Sequence, residues 1–271
     1  RDMQIGVIAG RCCLPLIVTQ ELKKRGYRVI TVALQGLADN ELSNHSDVFE
    51  SINIGKAGQI INFLKNNNVK EVILTGKVPK KLIFERKTIK PDMRALKMLF
   101  SAKIRGDNEL LKLVEKELLT EGIKIAEISE FCPELITPEG VLTRKKPTKE
   151  EWKDIEYGFK IAKKIGELDI GQTVVVKERS VIAVEAIEGT DETILRAGRF
   201  VKNSIVVKVS KPQQDLRLDP PAAGVDTIVI MEKANAKILA VEAGKTFLIE
   251  RYKLIEKANE INIIVVGVKQ P

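Results

Sequence analysis

Histidine is almost absent from this sequence, which contains only His45 among 271 residues. A zinc site or a dinuclear hydrolase site built on several histidine ligands therefore cannot be assembled from it. Any catalytic metal would have to be bound by oxygen ligands, which are the ligands that Mg²⁺ prefers.

Cysteine is scarce as well. The three cysteines are an odd number, and Cys12 and Cys13 are neighbours in the chain. A disulfide framework is therefore not expected, and a reducing compartment is indicated. Cys13 and His45 could form a nucleophilic pair, but we expect Cys13 to be buried as a small apolar residue.

Aromatic residues and long apolar runs are also missing. Aromatic residues make up 4% of the chain, and no basic and aromatic cluster of the kind found in RNA-binding sheets is present. No apolar run approaches the roughly 20 residues of a membrane span, and no signal-peptide pattern is found. These absences predict a soluble, cytoplasmic protein that does not bind nucleic acid.

Positive charge is what the composition does supply. The formal net charge is +8, which favours an acidic partner. Since nucleic acid is disfavoured, we expect this partner to be a small phosphorylated ligand or an anionic membrane surface. An apolar content of 44% supports packed cores, and the length suits two domains.

The order of predicted elements indicates an α/β protein. Residues 3–9 form a predicted strand, Leu14–Arg25 a helix and residues 27–34 a second strand, an opening typical of a parallel sheet. We predict two domains joined by a linker that is rich in proline and charge. The domains are a Rossmann-like parallel-sheet N-terminal domain (1–128) and a C-terminal mixed α/β domain (151–271), and the linker is residues 129–150.

A dinucleotide site does not fit this opening. Gly6 and Gly10 do not complete the G-x-G-x-x-G pattern, and no acidic residue ends the second strand, so an NAD-dependent dehydrogenase is disfavoured. The Gly55-Lys56 turn before a predicted helix could bind an anion through backbone N–H groups, or it could be a plain helix entry. The basic segment Lys80–Arg105 predicts either an amphipathic helix on a core or a lipid-facing surface.

Two loops of the C-terminal half follow predicted strands. The strand predicted over 180–186 ends near Gly189, and Thr190 or Asp191 can cap the next helix. The strand predicted over 204–209 is followed by a second, proline-rich loop. Because ligands of open α/β sheets bind at the carboxyl ends of strands, we expect a functional site in these loops.

The second loop alternates acidic and basic residues. Pro212 keeps it out of helix and strand, and Asp215, Arg217 and Asp219 stand at alternate positions. Carboxylates bind Mg²⁺, and a guanidinium binds phosphate oxygens in a bidentate manner. An ordinary surface turn with a solvated ion pair would use the same residues, so both interpretations stay open at this point.

Six blocks, in their order along the chain, carry a resemblance to a known family. The blocks are residues 5–15 (IGVIAGRCCLP), 75–78 (TGKV), 105–111 (RGDNELL), 171–198, 208–224 and 239–246. Together they resemble the UDP-2,3-diacylglucosamine pyrophosphatases of the LpxI type. Two features depart from the family pattern: Cys12 and Cys13 replace a glycine and a variable residue, and DPPAAG replaces a version with an aliphatic residue before the second proline.

The resemblance implies an Mg²⁺-dependent hydrolase that cleaves the pyrophosphate of UDP-2,3-diacylglucosamine to UMP and 2,3-diacylglucosamine 1-phosphate, a step of lipid A biosynthesis. It also implies transient contact with the cytoplasmic surface of the inner membrane, and a homodimer is left open. The alternative is a non-catalytic module that binds a nucleotide-sugar or an anionic lipid.

Candidate site residues fall into three groups. The candidate catalytic residues are Asp219 and Asp215. The candidate metal ligands are Asp219, Asp215, Asp191 and Glu185. The candidate substrate-binding residues are Gly10, Arg11, Gly76, Lys77, Gly189, Thr190, Lys211, Gln214 and Arg217.

Overall fold

The computed structural model describes residues 3–78, 90–101, 107–217 and 220–269. Asp219 and most of the basic segment Lys80–Arg105 lie outside these residues. The chain divides into two compact units, one formed mainly by Arg1–Pro133 and the other by Glu134–Leu216 with Pro220–Pro271. Within the described ranges, no helix is both long and apolar enough to cross a bilayer.

The first unit contains a five-stranded sheet in which every pair of neighbours is parallel. The strand order is β3-β2-β1-β4-β5, so the predicted Rossmann-like sheet is confirmed. The strands are β1 (Gln4–Ala9), β2 (Arg28–Leu34), β3 (Val48–Ile52), β4 (Glu71–Thr75) and β5 (Lys124–Ile125). The helices are α1 (Leu14–Lys24), α2 (Ala57–Asn66), α3 (Met93–Ser101), α4 (Asp107–Thr120) and α5 (Ile128–Phe131), with a 3-10 helix at Asn40–His45.

Continuous apolar runs explain the central strands of this sheet. All of β2 after Arg28 is buried, as expected for a parallel strand covered on both faces. Helices α2 and α4 pack on the sheet through Ile60, Leu64 and Leu118. Helix α1 packs on β1, β2 and β4.

The second unit contains a six-stranded mixed sheet, so the predicted mixed α/β domain is confirmed. Its strand order is β6-β13-β11-β9-β7-β8, and a separate parallel pair joins β10 to β12. The strands are β6 (Gly140–Val141), β7 (Thr173–Lys177), β8 (Ser180–Val184), β9 (Ile205–Lys208), β10 (Ala222–Ala223), β11 (Ile238–Glu242), β12 (Phe247–Leu248) and β13 (Ile264–Val268). The helices are α6 (Lys149–Glu167), α7 (Thr190–Gly198), α8 (Val225–Lys233) and α9 (Arg251–Glu260), with a 3-10 helix at Pro133–Leu135 before them.

Strand direction in the second unit decides where polar side chains gather. Strands β9, β11 and β13 are parallel, and β7 is antiparallel to both β9 and β8. Strand β8 therefore runs in the same direction as β9. The carboxyl ends of β8, β9 and β11 consequently share one edge of the sheet with the amino end of β7.

Helices cover both faces of this sheet. Helix α6 lies on one face, where Ile155 and Phe159 are buried against the sheet, and α7, α8 and α9 lie on the other. Gly158 allows a close approach, because a Cβ there would lie 2.7 Å from Val207 Cγ2. This fixes the depth at which α6 sits over β9.

The residues of the predicted linker, 129–150, belong to structured parts of both units. The division between the units falls between Pro133 and Glu134. Beyond it, the Thr137 N–H donates to the Thr246 carbonyl oxygen (2.9 Å), and Val141 pairs with Val266 in the sheet. These backbone contacts tie the segment after Pro133 into the second unit.

A capping box at the start of α6 predicts a pH-dependent contribution to stability. Thr148 Oγ1 accepts from the Glu151 N–H (3.2 Å), and Glu151 Oε2 accepts from the Thr148 N–H (2.8 Å). Burial raises the pKa of Glu151, but hydrogen bonds from the Lys237 ammonium and the Thr148 N–H outweigh burial and hold the pKa below its ordinary value of 4.5. A carboxyl with a depressed folded pKa stabilises the fold above its unfolded pKa, and this contribution is lost as the pH falls through the folded pKa.

We therefore expect Glu151→Gln to lower the free energy of unfolding by about 1 kcal/mol at neutral pH. The difference from the wild type should shrink towards zero as the pH falls below the ordinary carboxyl range. Urea titrations of both proteins at pH 7 and pH 3 measure this. Glu256→Gln, which changes an exposed glutamate of α9, is the control. An equal difference at both pH values would contradict the assignment.

Candidate active site at the carboxyl edge of the second sheet

A threonine hydroxyl joins a carboxylate and an ammonium at this edge. Thr190, the first residue of α7, donates from Oγ1 to Glu185 Oε1 (3.0 Å) and accepts from Lys208 Nζ (3.2 Å). Lys208 also donates to the Ala222 carbonyl oxygen (2.8 Å). Glu185 and Lys208 are each only 8% exposed. Two buried charges linked through one hydroxyl form a polar centre inside an apolar sheet.

Two glycines shape the backbone around Glu185. Gly171, next to the start of β7, lies so close that a Cβ there would be 2.2 Å from the Glu185 carbonyl oxygen. The N–H of the next residue, Gln172, donates to Glu185 Oε2 (3.2 Å). Gly189 precedes α7 with φ +85°, a left-handed conformation that favours glycine. The sequence-predicted trio of Glu185, Gly189 and Thr190 is thus brought together.

The loop after β9 is a closed turn. The Lys211 N–H donates to Gln214 Oε1 (3.0 Å), and the Gln214 N–H donates to the Lys211 carbonyl oxygen (3.0 Å). Lys211 Nζ pairs with Asp169 Oδ1 at 2.5 Å. The turn places half-buried Asp215 directly after Gln214. Lys211, Gln214 and Asp215, all predicted site residues, therefore share one short structured segment.

Arg217 has a carboxylate partner that the sequence did not indicate. Arg217 is part of the first compact unit, and its Nη1 lies 2.5 Å from Glu115 Oε1 of α4. Asp219, its predicted acidic neighbour in the chain, lies outside the described residues.

Glu188 lies on the loop between β8 and α7, beside the Glu185 centre. It accepts from Arg196 Nη2 (2.6 Å) and from the Ala186 N–H (3.1 Å). Hydrogen bonds from its own backbone N–H, from Arg196 and from Ala186 hold the pKa of Glu188 below its ordinary value. This loop therefore keeps a negative charge down to acidic pH.

Few side chains at this edge of the sheet are available to bind Mg²⁺. Among the described residues, no three acidic, histidine or cysteine side chains come together as a metal site. Both Glu185 oxygens accept hydrogen bonds, and Asp191 is exposed on α7. Mg²⁺ commonly uses one or two carboxylates together with water and substrate phosphates. Asp215, which is half-buried on the loop after β9, is the predicted carboxylate ligand that the structure describes in that loop.

The first unit gathers its own predicted site residues at the carboxyl ends of β1 and β4. The Arg11 N–H donates to the Lys77 carbonyl oxygen (2.9 Å), and the Lys77 N–H donates to the Arg11 carbonyl oxygen (2.8 Å). Gly10 permits this approach, because a Cβ there would lie 2.8 Å from the Lys77 carbonyl oxygen, and Gly76 has φ +84°. The four residues Gly10, Arg11, Gly76 and Lys77 are therefore brought together. We name this pair of joined loops the basic lip.

Cys13 is exposed, so the prediction that it would be buried is wrong. Cys12, also exposed, has φ +100°, and Cys13 lies immediately before α1 without a side-chain capping hydrogen bond. The loop that forms the basic lip thus carries both thiols on the surface rather than into the core.

The Gly55-Lys56 turn is a plain helix entry. The Asp92 carboxylate accepts from the Gly58 N–H (2.8 Å) and from the Ala95 N–H (2.8 Å). An acidic side chain of the protein therefore lies at the start of α2, where an external anion would otherwise bind.

Two buried charged residues at the second sheet's edge were not predicted as site residues. Lys163 of α6 and Glu242 of β11 form an ion pair with 12% and 2% of their side chains exposed. Glu242 does not share a partner with Glu185, because β7 and β9 separate their strands. Lys163 is one of several similar lysines on an amphipathic helix, so no sequence signal singles it out.

If the basic lip binds substrate, a lysine within it should affect substrate binding, whereas a lysine at the opposite end of β4 should not. Lys77 follows β4 and Lys70 precedes it, and both are exposed. If the lip binds phosphate oxygens, Lys77→Ala should raise KM about tenfold with kcat nearly unchanged, because binding in the ground state and transition state is lost equally. Lys70→Ala should change neither constant. Steady-state kinetics at low salt measure this, and equal effects at both ends of β4 would contradict a role for the lip.

Two family models and one named relative match almost the whole chain. The family model described as LpxI N-terminal domain matches residues 4–135, and that described as LpxI C-terminal domain matches residues 138–266. A protein of Caulobacter vibrioides named UDP-2,3-diacylglucosamine pyrophosphatase LpxI is 32% identical over 277 residues, covering 98% of this chain and 97% of the relative.

Among solved structures, N5-carboxyaminoimidazole ribonucleotide synthetase from Thermotoga maritima covers 68% of this chain at 17% identity. The match covers 41% of that protein with a TM-score of 0.25. A TM-score this low carries no argument about fold or activity.

Proposed function

This chain belongs to the LpxI family, and from that premise we propose that it hydrolyses the pyrophosphate bond of UDP-2,3-diacylglucosamine. The products would be UMP and 2,3-diacylglucosamine 1-phosphate, within lipid A biosynthesis. The observation that carries the proposal is the end-to-end match to a relative bearing that activity in its name. The match spans both the basic lip and the carboxyl edge of the second sheet.

The basic and acidic candidate residues suit the charge changes of this reaction. Pyrophosphate hydrolysis needs positive groups near the phosphate oxygens and a water held in line with the bond that breaks. In the proposal, Lys211 and Arg217 bind phosphate oxygens, and the buried Lys208 adds positive potential beside Thr190. Charges act strongly here because the surroundings of Lys208 exclude most water.

Asp215 and Asp219 would orient the attacking water and bind Mg²⁺ together with substrate phosphate oxygens. When bound, Mg²⁺ supplies charge neutralisation on the phosphate oxygens. Glu185 has a different part in the proposal, because its oxygens already accept from Thr190 and from the Gln172 N–H. It would hold the Thr190 hydroxyl in place beside Lys208.

The diacylated substrate implies a membrane source. Its acyl chains would keep it in a bilayer, so the protein would contact the cytoplasmic surface of the inner membrane transiently during turnover. A formal net charge of +8 favours such contact with anionic lipids.

The direct test is UMP release from UDP-2,3-diacylglucosamine, measured with added Mg²⁺ and with EDTA. The proposal expects release that depends on Mg²⁺ and yields one equivalent of 2,3-diacylglucosamine 1-phosphate. Substrate binding to the folded protein without release would instead favour the non-catalytic binding module. Equal release in EDTA would overturn the metal requirement while leaving the hydrolysis in place.

A further inference from the structure

A buried ion pair holds the residue from which the acidic loop departs. Ser210 lies two residues beyond β9 and is 2% exposed. Its N–H donates to Glu242 Oε2 (2.9 Å), and its carbonyl oxygen accepts from Lys163 Nζ (2.7 Å). Lys163 Nζ also donates to Glu242 Oε2 (2.6 Å). Both backbone polar groups of Ser210 are therefore held by the two members of one ion pair.

The pair joins three separate elements of the second unit. Lys163 comes from α6, Glu242 is the last residue of β11, and Ser210 follows β9, the strand parallel to β11. The Lys163 ammonium also lies 5.7 Å from the ring centre of Phe159, one turn earlier on α6. Ser210 is consequently fixed to a helix and to a neighbouring strand at once.

Stability alone is a poor explanation for this pair. Burying two charges costs hydration energy that their attraction repays only in part, and apolar replacements of such pairs are often as stable or more stable. A buried pair with defined hydrogen bonds does, however, select one backbone geometry. Here the geometry selected is that of Ser210, next to Lys211.

The position of Ser210 is transmitted to Asp215 through a short closed turn. Lys211 and Gln214 exchange hydrogen bonds across this turn, and Gln213 Nε2 donates to the Gly166 carbonyl oxygen at the end of α6 (2.9 Å). A displacement of Ser210 would therefore shift the carboxylate of Asp215, and misplacement by about 1 Å can cost about 100-fold in rate.

We propose that Lys163 and Glu242 are positioning residues that set the geometry of the loop carrying Asp215. This rests on the proposed pyrophosphatase activity for its catalytic consequence, but the structural claim can be measured without activity. Neither residue contacts the phosphates; both act through the backbone of Ser210.

The test compares three variants by kinetics, thermal unfolding and amide hydrogen exchange. Lys163→Met should lower kcat about 10- to 100-fold with KM changed less than about threefold. It should also accelerate exchange in peptides covering residues 209–217. Lys163→Met combined with Glu242→Leu should recover part of the Tm lost in Lys163→Met while kcat stays low, because removing both charges relieves the uncompensated burial but leaves the Ser210 backbone groups without these partners. Lys164→Met, the exposed neighbour on α6, should match the wild type in every measurement.

Two results would overturn the proposal. One is wild-type kcat in the double variant, which would make the pair a stability element only. The other is wild-type exchange of residues 209–217 in Lys163→Met, which would show that the loop is held without the pair. Wild-type protein that releases no UMP would contradict the proposed function, and the exchange measurement would still decide whether the pair positions the loop.

Discussion

Asp219→Ala is expected to lower kcat/KM at least about 1,000-fold, the loss typical when an acid or base that acts in the transition state is removed. The expectation comes from the alternation of Asp215, Arg217 and Asp219 in a proline-bounded loop and from the family resemblance of residues 208–224. Binding of UMP, followed by calorimetry, should survive, because other residues are assigned to the phosphates. Release of UMP from the diacylated substrate is the measurement of activity.

A matched control separates this chemistry from a general loss of negative charge. Asp226 is exposed in the first turn of α8, and Asp226→Ala should retain activity within about twofold, since its cost is limited to a small helix-terminus effect. Asp215→Ala should follow Asp219→Ala. If Asp219→Ala keeps wild-type kcat, the acidic loop is not the catalytic centre, whatever the other variants show.

Gly171→Ala is expected to produce a large loss of stability together with a loss of activity. The new Cβ would lie 2.2 Å from the Glu185 carbonyl oxygen and 2.8 Å from its carbonyl carbon, so backbone must move. Overpacking of this kind typically costs about 1–3 kcal/mol. The movement would also displace the Glu185 carboxylate from Thr190. Thermal unfolding and kcat/KM, measured on the same preparation, should both fall.

Gly224→Ala is the control for that prediction. Gly224 has φ −132°, and the nearest atom to a Cβ there would be Ile249 Cβ at 3.7 Å. We expect stability and activity within the experimental error of the wild type. Equal effects of the two substitutions would mean that the close approach at Gly171 is not specific to this site.

The sequence predicted the well-buried elements and missed those defined by pairing. Continuous apolar runs made β2 and β9 predictable, because a strand that is buried on both faces consists mainly of apolar residues. Strand β3 was not predicted, since Glu50 interrupts its apolar run at the sheet's margin. The two-residue strands β10 and β12 are defined only by their pairing with each other, and they are too short to show a periodic sequence pattern.

Candidate residues that directly follow strands could be predicted from the sequence. Candidate residues on a helix could not, because the rotation of the helix against the sheet determines which side chains are buried. Arg11 and Lys77 lie together because parallel neighbouring strands end at one edge of the sheet. Lys163 could not be chosen over Lys160 or Lys164, because only the rotation of α6 against the sheet buries one of the three. The prediction that Cys13 is buried was wrong because the residue type does not reveal the loop conformation, which here includes φ +100° at Cys12.

The place of β13 in the second sheet has a consequence for the order in which the chain can fold during synthesis. Strand β13 lies between β6 and β11, although β6 precedes it by more than a hundred residues. Until Ile264–Val268 leave the ribosome, one hydrogen-bonding edge of β11 stays open and β6 has no strand to join. An open edge of that kind invites pairing with other nascent chains, so the second unit is exposed to such pairing until its last strand has emerged, whereas the sheet of the first unit is complete once β5 has emerged.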